Sequence, residues 1–135
     1  MPSPQLVTKL KIKPDTSMAV IGAAEGYIEE LAPLPEGVSV STQLEGEYDW
    51  LQVFVNNSRE LSEQFPKVKA AMKPESMLWL TFPKGSSKIQ TDLTRDKGWE
   101  AVTDLKWINL VSVNETWSAF SLRPYKPGEV RQSFR

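Results

Sequence analysis

The chain has 135 residues, 40% of them apolar and 24% charged, a formal charge of −1, and neither histidine nor cysteine. That length is enough for one self-sufficient core, and the near-neutral charge argues against a nucleic-acid binder, which carries a basic excess. Without His or Cys there is no disulfide, no cysteine nucleophile, no Cys/His metal site and no Ser-His-Asp triad, and no run matches the spaced acidic pattern of a calcium loop.

No apolar run approaches the ~20 residues of a bilayer span, and Met1-Pro2-Ser3-Pro4-Gln5 lacks the charged start and apolar h-region of a secretory signal. A single cytoplasmic domain over residues 1–135 is expected, away from membranes and nucleic acid. Residues 1–9 read as a loosely held arm and the polar stretch from Tyr125 as a tail.

Taken in chain order, Met18–Ile21 is apolar throughout, as in a strand buried on both faces. It runs into the small-residue turn Gly22-Ala23-Ala24-Glu25-Gly26. A helix over residues 24–31 is predicted next, with Tyr27, Ile28 and Leu31 on one side and Pro33 and Pro35 ending it. Val38 to Thr42 alternates apolar with polar, suiting a short strand near an edge. Tyr48–Val55 is a strong strand. Asn57 with Glu60 resembles a capping box, and Leu61, Phe65, Val68 and Met72 recur at helical spacing, with Pro66 expected to kink or divide the helix.

Met77–Phe82 reads as a buried central strand, followed by the loop Pro83–Lys88. Thr91, Asp92 and Thr94 are caps for a predicted helix carrying Trp99, Val102 and Leu105. Leu110–Val113 and Ser118–Leu122 close the chain as an antiparallel pair around Asn114-Glu115-Thr116-Trp117. This alternation predicts an α/β fold: a minimal three-layer α/β/α, Rossmann-like domain with a mainly parallel sheet. Trp50, Trp79 and Trp107 lie in or beside apolar segments and are expected to pack in the core.

Ligands of open parallel sheets bind beyond the strand carboxyl ends, which directs attention to three places. The Gly22–Gly26 turn is either an anion cradle at a helix N-terminus or a tight turn that only Gly22 permits; Glu25 would repel a phosphate there. The loop after Phe82 offers Lys84, Ser86 and Ser87, with Thr91 and Asp92 beside it, and reads equally as a solvated loop before a capped helix. In the last turn, Glu115 is placed to pair with Lys84, and Trp117 to stack on a planar ligand or cover the sheet edge.

Leu10-Lys11-Ile12-Lys13-Pro14-Asp15 before the first strand, and Ala70-Ala71-Met72-Lys73-Pro74-Glu75 before Ser76-Met77-Leu78-Trp79, resemble class I S-adenosylmethionine-dependent methyltransferases. Phe82-Pro83-Lys84, Thr91-Asp92-Leu93-Thr94 and Asn114-Glu115-Thr116-Trp117-Ser118 resemble an uncharacterised bacterial family of small domains of unknown function. The first resemblance implies a truncated methyltransferase-like fold and S-adenosylmethionine as cofactor; the second implies a compact Rossmann-like domain without an assigned activity. Where the enzymes carry an acidic residue before the glycine turn, this chain has Val20 and Ile21. Where they end the second strand with one, it has Thr42, Gln43 and Leu44, then Glu45 as a late substitute.

These features point to a non-catalytic domain, with no catalytic or metal residue, that binds a small molecule or a protein partner at the strand carboxyl ends. Lys84, Ser86, Thr91 and Asp92 are its expected contacts. The alternative is a methyltransferase-like enzyme that binds S-adenosylmethionine, since methyl transfer can rest on positioning alone. A purely structural subunit would instead show an exposed apolar patch.

Overall fold

The computed structural model describes residues 10–23, 27, 35–84, 93, 105–113, 116–125 and 128. Six strands form one sheet: β1 (Ser17–Ile21), β2 (Ser39–Ser41), β3 (Tyr48–Phe54), β4 (Met72–Pro83), β5 (Leu105–Ser112) and β6 (Trp117–Pro124). Their order is β2-β1-β3-β4-β6-β5. β2, β1, β3 and β4 pair in parallel, whereas β6 runs antiparallel to both β4 and β5. The result is a truncated Rossmann-like sheet, mainly parallel, closed by an antiparallel pair. From β1 the chain steps outward to β2 and returns on the other side of β1 as β3. The carboxyl ends of β1 and β3 therefore flank a topological switch point.

Side chains alternate faces along a strand, and both faces of the central strands are buried. Ala19, Leu51, Val53, Val55, Leu78, Leu80 and Phe82 form one core with Leu61, Phe65 and Val68 of the helix α1 (Ser58–Ala70). On the opposite face, Met18, Val20, Trp50, Phe54 and Trp79 pack with Leu10, Ile12 and Tyr27. Burial from both sides is why β1, β3 and the centre of β4 read as mostly apolar runs, with Gln52 and Thr81 as buried polar exceptions. Trp50 and Trp79 are core residues as expected, and Trp107 packs half-buried against the first core.

α1 starts where its cap residues place it. Asn57 Oδ1 accepts from the Glu60 amide at 2.9 Å, and the Glu60 carboxylate accepts from the Asn56 amide at 3.2 Å. The reciprocal half of the cap thus falls one residue earlier than in a standard box. Pro66 does not divide the helix, which continues through it to Ala70. Pro66 is exposed, so the carbonyl left without a donor faces water. Leu61, Phe65 and Val68 hold both halves on the sheet, and burial at about 1.5–3 kcal/mol per side chain exceeds the ~3 kcal/mol cost of an interior proline.

Two boundaries move from their expected places. Met72 is not the last residue of the helical stripe but the first of β4, because the Ala71 carbonyl accepts from the Tyr48 amide at 2.9 Å and turns the chain directly into the sheet. Leu105 is not helical; it opens β5 opposite Pro124. The helix predicted around Ala24–Leu31 and the capped helix from Thr91 lie outside the described residues, except for buried Tyr27 and Leu93. The arm at 1–9 and most of the tail lie outside them as well. Among the described residues no helix is long and apolar enough to cross a membrane.

Candidate functional site

At the switch point β1 ends in Gly22, whose φ of +76° is a left-handed conformation that L side chains adopt at a cost. A Cβ there would stand 3.0 Å from the Phe54 carbonyl oxygen. The turn lies directly against the carboxyl end of β3, so glycine is required on geometric grounds.

On the sheet face that carries Trp50 and Trp79, the last residue of β3 joins an aromatic cluster. Phe54 meets Tyr27 edge-to-face at 4.8 Å and Trp117 at 5.1 Å. Tyr27 and Phe54 are buried and Trp117 is half-buried. The Tyr27 hydroxyl donates to Gln52 Oε1 at 2.8 Å, and Gln52 Nε2 donates to Thr81 Oγ1 at 3.0 Å. Gln52 and Thr81 are fully buried, so this chain of bonds satisfies the polar groups placed in the middle of the sheet.

Of the residues singled out from the sequence, Gly22, Lys84 and Trp117 are placed by the structure. Gly26, Ser86, Ser87, Thr91, Asp92 and Glu115 lie outside the described residues. Lys84 follows β4; its amide donates to the Thr116 carbonyl at 2.7 Å and its ammonium donates to Ser112 Oγ. Trp117 opens β6 opposite Pro83 and meets Phe54 edge-to-face, and β6 lies between β4 and β5 and not at the sheet edge. After β2, Ser41 Oγ donates to the Gln43 carbonyl at 2.7 Å, and the Tyr48 hydroxyl donates to the same carbonyl at 2.9 Å. Glu45 stands exposed beyond this stapled turn.

The fold has clear relatives among solved structures. An S-adenosylmethionine-dependent methyltransferase from Aquifex aeolicus superposes with a TM-score of 0.65 at 10% identity, covering 90% of this chain and 88% of the other. A DhpI–SAH complex gives 0.57 at 12% identity over 90% and 83%. TrmN from Thermus thermophilus gives 0.62 at 10% identity over 90% of this chain and 47% of its own. The chain has a methyltransferase-like fold. No protein-family model and no curated protein matches it.

Gly22 supplies a close turn after β1, and Phe54 at the end of β3 packs with Tyr27 and Trp117. No acidic side chain ends β2.

A second region escaped the sequence reading. At the amino ends of the same strands, a cleft of about 180 Å³ is lined by Lys11, Lys13, Thr16, Asp49, Trp50 and Met77. It exists because β4 bulges: Tyr48 pairs with Met72, yet Trp50 pairs with Met77. Ser76 staples the excursion, its hydroxyl accepting from the Lys73 amide at 2.7 Å and donating to the Tyr48 carbonyl at 2.6 Å. Lys73 Nζ thereby reaches Asp49 Oδ1 at 2.8 Å. The Ser17 amide and hydroxyl both donate to Asp49 Oδ2 at 3.1 Å. The Lys73 ammonium above all, with the Ser17 amide, holds the Asp49 carboxyl below its ordinary range. Residues so far apart in the chain carry no common sequence signal; only the Pro14-Asp15 turn pair hinted at structure there.

Proposed function

We propose that this domain is a non-catalytic binding module built on the methyltransferase-like fold, acting at the carboxyl end of its sheet without methyl transfer. The observation that carries the reading is the Tyr27–Phe54–Trp117 cluster, which commits the side chain at the carboxyl end of β3, beside the switch point, to aromatic packing. The incomplete glycine turn and the polar end of β2 support it. So does the absence of histidine and cysteine, which removes the commonest general base and the thiolate nucleophile. Ligand or partner contact would fall on the rim beyond β4, where Lys84 is anchored to the β5–β6 hairpin.

A second reading, an S-adenosylmethionine-binding enzyme, is favoured by one thing: its structural relatives include a methyltransferase that depends on this compound and a complex with SAH. Thermal unfolding with S-adenosylmethionine, its demethylated product and common nucleotides separates the two. A ligand at ~100 times its dissociation constant stabilises the native state by about 2.7 kcal/mol, a shift of several degrees in a domain this small. The proposal expects no shift with the methyl donor or its product. A saturable shift with either overturns it in favour of the enzyme.

A further inference from the structure

We propose that the cleft at the amino ends of β1, β3 and β4 binds a small organic anion. Lys11 and Lys13 would hold its phosphate or carboxylate group, and Met77 with the edge of Trp50 would form the wall for its apolar body. This goes beyond the carboxyl-end reading and stands or falls separately from it.

The charges at the cleft are unequally used. Asp49 is saturated by Lys73 and both donors of Ser17. Lys11, Lys13 and the Thr16 hydroxyl line the same space and make no hydrogen bond or ion pair among the described residues. With Asp49 balanced by Lys73, the remaining charges that line the cleft are Lys11 and Lys13. Two free ammonium groups and a free hydroxyl suit an oxyanion.

The segment that carries these groups is fixed before any ligand arrives. The Leu10 carbonyl accepts from two buried indoles, Trp50 Nε1 at 2.8 Å and Trp79 Nε1 at 3.0 Å. At its other end the Asp15 amide donates to the Glu36 carbonyl at 2.9 Å, and the Thr16 carbonyl accepts from the Ser39 amide at 3.1 Å. Between these clamps, Lys11 and Asp15 hold left-handed backbone at φ 57° and 59°. That conformation is uncommon for a lysine, and such backbone collects where a side chain must be aimed. A cavity of about 180 Å³ is smaller than the ~300–1,000 Å³ of sites for drug-sized ligands, so the ligand is compact.

The test is an amide NMR titration of the full chain with phenyl phosphate, with benzoate, and with benzyl alcohol as the neutral control. Saturable shifts centred on Lys11, Lys13 and Thr16 are expected with at least one anion and not with the alcohol, and the stronger anion identifies the head group. Lys11→Gln with Lys13→Gln should weaken binding about tenfold or more, and added salt should weaken it in the wild type. Both lysines are exposed, so the remaining spectrum should not change. No saturable shift with either anion, an equal response to the alcohol, or an unchanged affinity in the double variant overturns the proposal. S-adenosylmethionine added to the same sample is expected to leave the spectrum unchanged; a saturable perturbation at Gly22 and Phe54 would overturn the carboxyl-end reading alone.

Discussion

The two ends of this sheet have been put to opposite uses. At the carboxyl end, Phe54 of β3 packs with Tyr27 and Trp117, and Gly22 at the end of β1 closely approaches the Phe54 carbonyl. At the amino end, the same strands open onto a charged cleft, held apart by the β4 bulge and bordered by a clamped, left-handed segment. Open α/β sheets ordinarily show the reverse, with packing below and ligands beyond the carboxyl ends. A fold therefore says where a site can form, and the side chains decide whether that end is spent on packing or on polar chemistry.

The sharpest way to break this contrast is to empty the carboxyl end. Phe54→Ala should cost about 3–5 kcal/mol in urea unfolding, because a buried ring is lost together with its contacts to Tyr27 and Trp117. A loss under about 1 kcal/mol would mean that the rings do not form a packed unit and that the space is available to a ligand. Tyr27→Phe is a milder probe of the same place. It keeps the ring but removes the donor to buried Gln52 Oε1, and should cost about 1–3 kcal/mol. A neutral result would show that water reaches Gln52 and that the closure is incomplete.

Gly22→Ala sharpens the comparison with a smaller effect. Its positive φ and the 3.0 Å approach to the Phe54 carbonyl predict a loss of about 1–2 kcal/mol. Gly46, with nothing within 4 Å of an added Cβ, is the control and should stay within about 0.5 kcal/mol. Equal effects at the two positions would remove the steric argument for the turn.

What the sequence revealed follows from what kind of contact each feature depends on. β1, β3 and the centre of β4 were legible because burial on both faces writes a mostly apolar run, broken only by Asp49, Gln52 and Thr81, and the α1 start was legible because Asn57 and Glu60 are local. Leu105 was misplaced because its spacing from Trp99 and Val102 also fits a helix, while its pairing with Pro124 is not local. Gly22 was visible as a turn, yet the carbonyl it approaches belongs to Phe54 of β3. The amino-end cleft left no trace in the sequence because Lys11, Asp49, Lys73 and Met77 meet only through strand register and a bulge. Trp50 and Trp79 were identified as core, but their hold on the Leu10 carbonyl was not, since a backbone acceptor has no residue signature.

The smallest effect tests the amino end. Lys73 and then Ser17 hold Asp49 charged, so its carboxyl releases its proton at a lower pH in the folded chain than in the unfolded one. The stabilisation is then fully present above the ordinary value of 3.8 and is lost as the pH falls through the lower folded-state value. The pair is partly solvated, with side chains 34% and 44% exposed, so the contribution stays in the modest range of surface ion pairs. Asp49→Asn should therefore be slightly less stable than the wild type at neutral pH, with the gap closing in acid and narrowing in high salt. Urea midpoints for both proteins from neutral to acid pH measure this directly. A gap that persists unchanged below the carboxylate range would assign the role of Asp49 to hydrogen bonding with Ser17 alone. Lys73 would then add uncompensated positive charge to the cleft instead of balancing it.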